Sequence, residues 1–301
     1  MMRTVGAMGV AFLVAMLPAQ GWAQTVLERV EAHLASEGMV VTYGQIDRSD
    51  ERGFVIHDVQ LGPPPDTDGV EISIDTWSIA AIDTEALEVW GIPAFLMMSA
   101  EGAVIYPPEP MGPEAQAVFG GDTIRGDLSI DYALDPETGV LTLDHLTVSL
   151  HGVATTTVTL SLGNVTVEHL HDGSTANVAI NRLGIVFQDH GMMGRLVAAL
   201  AGEFGGDLEA TAQSMVADLN RDFMSSPLRG VRQAHDIINA IAAMIADYQA
   251  PGRLSIVAEP VAPVPLDALP IMSDPAPWFE AMNPVTDYDG PTRPGDIPKS
   301  R

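Results

Sequence analysis

Apolar and polar residues alternate in short segments between residues 39 and 188, and Gly, Pro and Asp separate the segments. The clearest alternation runs from Leu128 to Leu134 and resumes at Leu141, after the turn residues 135–139. Successive side chains of a strand point to opposite faces, so the alternation predicts strands with one buried and one wet face. A short turn between two such strands predicts an antiparallel hairpin. We therefore expect a long antiparallel β-meander, forming a curved sheet, over residues 39–188.

The alternation changes parity twice within this region. In the strand that follows the turn, apolar positions are odd at Leu141 and Leu143 and even from Leu146 onward. A slip of one residue turns every following side chain to the other face, so this change predicts a bulge or corner at residues 144–145. A second slip is expected directly after the strand 158–162, before that strand continues through residues 165–167.

The segment from Val89 to Ala100 carries no charge and is the most apolar part of the chain after the first 23 residues. An uninterrupted apolar run of this kind is typical of a strand buried on both faces or packed under helices. The alternative is a surface that contacts lipid or a partner protein. In that case Trp90, Phe95 and Leu96 are the expected contact residues.

Three amphipathic helices are predicted between residues 189 and 250, because apolar residues recur there at spacings of three and four. Asp189 and Asp207 are expected to cap the first two helices, and Pro227 is expected to begin the third, since these residue types are favoured at helix starts. The helices should pack against one another or against the apolar face of the sheet. A strand over residues 253–259 should then return to the sheet.

Beyond residue 272 the chain consists mainly of Pro, Asp, Gly and polar residues with little periodicity. This composition predicts an extended or disordered tail over residues 273–301, in which Trp278 and Phe279 are the expected docking anchors. The fold class expected from the whole pattern is α+β. It consists of one domain over residues 24–272, with a three-helix segment packed on the meander, and a flexible tail.

The first 23 residues have the three parts of a secretory leader. Arg3 supplies a positive charge, residues 5–17 form an uncharged apolar run, and residues 21–23 place small side chains at the expected cleavage site. The run is shorter than the ~20 residues that a membrane-spanning helix needs. We therefore expect cleavage after Ala23, a periplasmic location and no transmembrane segment in the mature chain.

Charge and cysteine content narrow the classes of function. The chain has 14 basic and 40 acidic residues, and loss of the leader removes Arg3, so the mature charge is 13 − 40 = −27. This charge repels the phosphates of nucleic acids, so no nucleic-acid partner is expected. The chain has no cysteine. Disulfides and lipoprotein acylation are therefore excluded, and stability has to come from burial of the core.

Motifs that carry catalysis are missing from the sequence. It contains no Gly-x-Ser-x-Gly elbow, no phosphate-binding loop and no dinucleotide fingerprint, so we expect a non-enzymatic protein without a cofactor. His169 and His171 are weak candidates for a metal site, because two imidazoles two residues apart share one face of a strand. A third and fourth ligand would have to come from elsewhere in the chain, for example from His151 or His145 across the hairpin. The alternative is that both histidines are exposed at a polar strand end.

The residues from Val186 to Gly191, followed by Arg195 and an Ala-rich helix that ends near Gly205, resemble a pattern in uncharacterised exported proteins of alphaproteobacteria. In that pattern a strand ends in an acidic turn and opens into helices. The strand beginning at Arg253 and the proline-rich segment after it fit the same pattern, so the resemblance covers residues 125–270. It implies an exported protein and supplies no catalytic residues. More distantly, a wet-faced sheet with a helical cap is similar to AsmA-type envelope proteins, in which such sheets form grooves for lipid.

These observations lead to two main hypotheses. The first is a non-enzymatic periplasmic protein that binds lipid or another apolar ligand on the apolar face of its sheet, in envelope maintenance. The second is a structural or interaction module that docks on an envelope protein through its C-terminal tail. A metal-dependent hydrolase centred on His169 and His171 is the third and weakest hypothesis.

Overall fold

The computed structural model describes residues 35, 38–48, 53–64, 67–83, 85–86, 93–250, 252–268 and 275–291. Within these residues, twelve strands form an antiparallel sheet accompanied by six α-helices, so the α+β class is confirmed. None of the helices in this part of the chain is both long and apolar enough to cross a bilayer. The expected leader and Trp90 lie outside the described residues.

The strands are β1 (Val40–Thr42), β2 (Gln45–Arg48), β3 (Phe54–Gly62), β4 (Glu71–Ile82), β5 (Phe95–Tyr106), β6 (Ile124–Asp135), β7 (Val140–Leu150), β8 (Ala154–Gly163), β9 (Ala179–Asp189), β10 (Arg253–Ala258), β11 (Val264–Pro265) and β12 (Val285–Asp289). The helices are α1 (Pro113–Phe119), α2 (Val167–Asp172), α3 (Met192–Phe204), α4 (Leu208–Ser225), α5 (Arg232–Ala246) and α6 (Ala276–Met282). Strands that follow one another in the chain are mostly neighbours in the sheet, as expected for a meander. The meander is therefore confirmed, and β10 returns to the sheet as predicted.

The contacts divide the chain into two compact units. The first contains the residues up to Met111, together with Asp122–Leu146 and Val165–Ser174. The second contains Gly112–Gly121, Thr147–Asn164 and the residues from Thr175 onward. The boundaries 24–272, expected for a single domain, stay a prediction.

In the first unit, β3 to β6 pair in sequence order, and both β1 and β2 pair with β3. The core lies on one face of these strands. Its members are Phe54, Ile56, Val59, Leu61, Ile72, Ile74, Trp77, Ile79, Ile82, Leu96, Met98, Ala100, Ile130 and Tyr132. Leu141, Leu143 and Leu146 of β7 all pack against this core. Odd and even positions thus contact the same side, as the predicted change of parity in β7 requires.

In three neighbouring strands of the first unit, β3, β4 and β5, the buried positions change from odd to even or from even to odd. The changes occur at residues that pair with one another across the strands. In β3 the buried positions pass from Ile56 to Val59, and Asp58 between them has a φ of 56°. In β4 they pass from 74 to 77. In β5 the register shifts between Ala100 and Ala103, where Gly102 has a φ of 67°. An extra residue in each strand keeps one face buried along its full length, and this explains why the alternation before residue 106 is hard to read from the sequence.

The apolar segment at the start of β5 is buried on one face only. Leu96 and Met98 are buried in the core of the first unit, whereas Met97 between them is 44% exposed. The expectation of a strand buried on both faces is therefore wrong for residues 95–100. Residues 89–92 lie outside the described residues.

In the second unit, β8, β9, β10 and β12 lie side by side, and β11 pairs with β9. Helix α5 packs on this sheet, because its residues Ala240, Ala243 and Met244 form a buried cluster with Leu254 of β10 and Tyr288 of β12. Helices α3, α4 and α5 also pack on one another through a cluster that contains Val197, Ala212 and Ile245. The predicted packing of three helices on one another and on the sheet is therefore confirmed.

The predicted helix starts agree with the structure at one of three positions, Asp207, because the N-cap of α3 is Gly191, which has no side-chain cap. The Asp189 carboxylate accepts hydrogen bonds from the N–H groups of Gly191 and Met192, at 2.8 and 2.6 Å, where α3 begins. Asp207 caps α4 by accepting the N–H of Glu209 at 3.0 Å. Pro227 begins only a single 3₁₀ turn, and α5 starts at Arg232. The extended backbone of Val231 separates the turn from the helix.

The expected continuation of β8 through residues 165–167 is wrong. The strand ends at Gly163, Asn164 adopts a φ of 59°, and the short helix α2 begins at Val167. Thr166 caps this helix, because its side chain accepts the N–H of His169 while the His169 side chain binds the N–H of Thr166. Local capping thus overrides the apolar spacing of the two valines.

The prediction of an unstructured tail from residue 273 is wrong for residues 275–291. These residues form α6 and β12, and β12 pairs with β10 from Val285 to Asp289. Met282 is completely buried and Tyr288 is 9% exposed. A few large side chains that fit the second unit are enough to order a segment whose composition alone favours disorder. Residues 273–274 and 292–301 lie outside the described residues.

Candidate functional site

Three half-buried apolar side chains form a strip on the second unit: Val148 and Leu150 of β7 and Val158 of β8. Their face follows from the hydroxyl pairs between the same strands. Thr147 bonds to Thr157 at 3.1 Å and Ser149 bonds to Thr155 at 3.0 Å, so these polar residues lie opposite each other on one face. Val148, Leu150, Thr156 and Val158 therefore point to the other face, on which Thr156 is the polar member. We call Val148, Leu150 and Val158 the apolar strip.

The apolar strip lies on the face of the sheet that carries the helices. Val158 pairs with Ile185 of β9, and Ile185 pairs with Ile256 of β10, so these side chains share one face. Ile256 packs against the buried cluster beneath α5. Helix α5 packs on side chains of β9, β10 and β12. The strip occupies the β7 and β8 side of the same face, where its side chains are only half-buried.

The opposite face of these strands is polar, as the alternation predicts. The Thr155 hydroxyl bonds to Ser149 and also to Nε2 of His190, at 3.0 Å each. Arg182 and Glu259 form an exposed ion pair on this face, with 3.1 Å between Nε and Oε1. The hydroxyl groups bond to one another or to His190, and the ion pair is exposed. This face is therefore polar and in contact with solvent.

One arginine lies at the hairpin end of the apolar strip. Nη1 of Arg195, on α3, donates a hydrogen bond to the carbonyl of Val118 in the last turn of α1, at 2.9 Å. Its Nη2 atom is 3.4 Å from the place that a Cβ on Gly152 would occupy. Gly152 has a φ of 66° and lies in the turn between β7 and β8. The guanidinium is therefore beside the turn that joins the two strands of the strip.

A buried polar cluster lies near the start of β10. Asp189, Asp247 and Tyr288 are all buried, and the Tyr288 hydroxyl donates to Oδ2 of Asp247 at 3.0 Å. Burial, and then the hydrogen bond to Asp247, raise the pKa of Tyr288 above its ordinary value. Asp189 accepts the N–H groups of Gly191 and Met192, so the cluster is explained by structure and offers no group aimed at a ligand.

The side chains expected to make apolar contacts are mostly engaged inside the protein. Leu96 is a core residue of the first unit, and Phe95 is half-buried at the start of β5. Trp278 packs against the cluster that includes Met282. Phe279 packs against a different cluster, which contains Phe223, Val231 and Ala234. The structure therefore does not bring these candidates together into one site.

His169 and His171 lie on helix α2, so the assumption that they share one face of a strand is wrong. Residues two apart on a helix are separated by about 200° around its axis. Nδ1 of His169 is also engaged by the N–H of Thr166 at 3.0 Å. In the part of the chain that the structure describes, no group of three or more His, Cys, Asp or Glu is placed to hold a metal ion.

Sequence reasoning placed the residues of the apolar strip on strands but did not identify them as a site. In the sequence, Arg195 stands out only as part of the resemblance to uncharacterised exported proteins. The available signal was weak: one basic residue on an apolar helix of a chain with 14 basic and 40 acidic residues. That α3 brings this arginine to the β7–β8 turn is visible only in the tertiary structure.

Comparison with known proteins gives a limited result. No curated protein matches the chain. A family model described as "Uncharacterized protein" matches residues 147–285. This range begins within β7 and ends at the first residue of β12, so it contains both the apolar strip and Arg195. At this coarse level it agrees with the resemblance to an uncharacterised family.

Proposed function

We propose that this protein is a non-enzymatic exported protein that binds an apolar ligand, such as the acyl chain of a lipid, on the apolar strip. The observation that carries the proposal is the half-burial of Val148, Leu150 and Val158 on the face that α5 covers elsewhere. Removing apolar surface from water is favourable by roughly 25 cal/mol per Å². A ligand that completes the cover of these side chains recovers this free energy.

Two sequence features support an envelope role. The first 23 residues have the pattern of a secretory leader, which leads to the compartment where a bacterial cell handles envelope lipids. The distant similarity to AsmA-type proteins concerns sheets that bind lipid, although a shared fold class argues only weakly for a shared function. The proposal therefore depends on the strip, and the resemblance only adds to it.

Docking of a partner through the C-terminal segment is the weaker alternative. It requires Trp278 and Phe279 to be available to a partner, and both are half-buried against clusters of the second unit. No feature of the described residues favours docking there over a role in packing.

Binding can be measured with the delipidated mature chain and a fluorescent fatty acid. Val158→Asn places a polar amide in the strip, and Thr157→Asn places the same group on the opposite face of the same strand. We expect saturable uptake by the wild type and by Thr157→Asn. Uptake by Val158→Asn should be about tenfold weaker, since an unsatisfied polar group against an acyl chain costs ~1–3 kcal/mol.

Fatty-acid uptake and native mass spectra together can contradict the proposal. If the wild type takes up no fatty acid, and native mass spectra of protein from the periplasm show no bound lipid, the strip is not a ligand site. Equal losses in Val158→Asn and Thr157→Asn would indicate an effect on folding, which thermal unfolding of both variants would reveal.

Export can be tested independently of binding. The full chain, expressed in a bacterial host with a general secretion system, should be recovered from the periplasm with Gln24 as its first residue. Recovery of the intact chain, with Met1 still present, from the cytoplasm would contradict the proposed location.

A further inference from the structure

Arg195 is buried to a degree that sets it apart from the other arginines of the described chain. It is half-buried. The other described arginines whose burial is known are exposed: Arg125, Arg182, Arg221, Arg229, Arg232 and Arg253. Removing a guanidinium from water is costly unless an anion or several acceptors compensate for the lost hydration. A partner that accounts for the charge of Arg195 would therefore offset the hydration that partial burial removes.

No carboxylate of the described residues forms an ion pair with Arg195. The ion pairs of arginines in this part of the chain join Arg182 to Glu259 and Arg221 to Asp218. Acidic residues outnumber basic ones by 40 to 14, so an arginine without an acidic partner is unexpected. The bond from Nη1 to the Val118 carbonyl uses one of the five N–H donors of the guanidinium.

The bond to Val118 has a structural role of its own. Val118 lies in the last turn of α1, where carbonyl groups lack partners within the helix, and a cation there is favourable. This role explains why Arg195 is oriented toward α1. It does not neutralise the charge, and it leaves the donors on the side of Gly152 without an assigned acceptor.

The N–H donors on Nη2 of Arg195 lie at the hairpin end of the apolar strip, beside Gly152. Nη2 is the atom that faces Gly152, and Leu150 of the strip precedes that glycine by two residues. Helix α3 is on the same side of the sheet as the strip, because Met193 packs against the cluster that also receives Phe187 and Ile256. Phe187 and Ile256 share their face with Val158. An apolar surface thus ends beside a half-buried cation that forms no ion pair with the described residues.

We propose that Arg195 binds the anionic head group of the ligand whose acyl chain lies on the apolar strip. The head group is a carboxylate or a phosphate, since both accept hydrogen bonds from the planar fork of a guanidinium. The ligand class is therefore an anionic amphiphile. This inference rests on the proposed function and names the chemistry that the same site selects.

The test compares three ligands of equal chain length: decanoate, decyl phosphate and decanol. Each displaces a neutral fluorescent acyl probe from the full mature chain, from Arg195→Gln and from Arg232→Gln, which neutralises an exposed arginine at the start of α5. We expect the wild type and Arg232→Gln to bind at least one of the two anionic ligands about tenfold more tightly than decanol, as for one charge-assisted pair. The preferred anion identifies the head group.

For Arg195→Gln we expect this preference to fall below about threefold, with the affinity for decanol unchanged. A purely structural role of Arg195 would weaken all three ligands equally. If Arg195→Gln does not fold, Arg195→Lys keeps the charge and one donor to Val118, and it should retain a preference for the anionic ligands. A wild type that binds decanol as tightly as both anions overturns the inference and leaves the proposed function standing. A wild type that binds none of the three overturns both.

Discussion

Tyr288 connects the C-terminal strand to the rest of the second unit. Its hydroxyl donates to Asp247, and its ring occupies space that two glycines leave open. A Cβ on Gly252 would lie 2.4 Å from the hydroxyl oxygen, and a Cβ on Gly290 would lie 2.3 Å from the same atom. Any larger residue at either position would displace the tyrosine. The two glycines therefore serve the packing of one side chain.

Removing the Tyr288 hydroxyl should destabilise the protein measurably. Tyr288→Phe keeps the ring but deletes a buried hydrogen bond to a carboxylate, so the free energy of unfolding should fall by about 1–3 kcal/mol. Urea unfolding followed by tryptophan fluorescence would measure it. Tyr106→Phe is the matched control, because Tyr106 is exposed and its change should stay within about 0.5 kcal/mol. Equal effects of the two substitutions would contradict this role of Tyr288.

Two buried tyrosines should make the protein sensitive to alkali. Burial is the main cause that raises the pKa of Tyr132 and of Tyr288 above the ordinary value of ~10. Both stay protonated in the folded protein while the unfolded chain loses these protons above pH ~10. Their contribution to stability is thus complete below pH ~10 and is lost as the pH rises further, by up to ~1.4 kcal/mol per tyrosine and pH unit.

The measurement is the free energy of unfolding at several values of pH from about 8 to 11. The wild type should lose stability above pH ~10, and the double variant Tyr132→Phe/Tyr288→Phe should lose it less steeply. Identical slopes for the two proteins would show that other groups cause the alkaline loss.

At the scale of elements, α6 and β12 are parts of the fold that composition does not reveal. Met282 at the end of α6 is buried in a cluster with Ile180, Ala258 and Val264. Strand β12 adds a row of backbone pairs to β10. Two short elements thus contribute both to the core and to the sheet.

Truncation after Ser273 should therefore damage the second unit. Burial of a side chain such as Met282 or Tyr288 contributes about 1.5–3 kcal/mol, so the loss of both should lower the free energy of unfolding by more than ~3 kcal/mol. Truncation after Pro291 is the control, because it keeps all residues of α6 and β12. Equal urea midpoints for the two truncated chains would instead support an extended or disordered tail over residues 273–301.

Elements were predictable where one local signal dominated. Asp207 and Gly205 mark helix ends by capping and by the left-handed conformation, which depend only on neighbouring residues. Val165 and Val167 misled because these two apolar residues with strand spacing flank Thr166, the N-cap of a capping box. In β3 and β5 the extra residues at Asp58 and Gly102 interrupt the alternation. A bulge is defined by the pairing with the neighbouring strand, so the sequence of one strand does not reveal it.

At the scale of the whole molecule, net charge is the dominant property. The chain carries a formal charge of −26. Repulsion among like charges opposes the compact state, and salt screens it. Raising NaCl from about 0.02 to 0.5 M should therefore raise the urea midpoint. The few exposed ion pairs of the described residues, such as Arg182 with Glu259, contribute too little to reverse this trend.

Stability should respond in the same way to KCl, since screening does not depend on the identity of the cation. A midpoint that falls as the salt concentration rises would mean that attractive ion pairs outweigh the repulsion. That result would contradict the expected dominance of repulsion among the acidic residues.

The sequence by itself determined the α+β class, the antiparallel meander and the helices that follow it, because alternation, helical spacing and capping act over a few residues. It did not reveal that residues 275–291 complete the second unit, because the fit of Met282 and Tyr288 depends on distant partners. The candidate site was likewise predictable only in part. Val148, Leu150 and Val158 were readable as strand residues, but only the tertiary structure decided that they stay half-buried and that Arg195 lies beside them. Periodicity reports which face a side chain takes, whereas the cover of that face depends on elements far away in the chain.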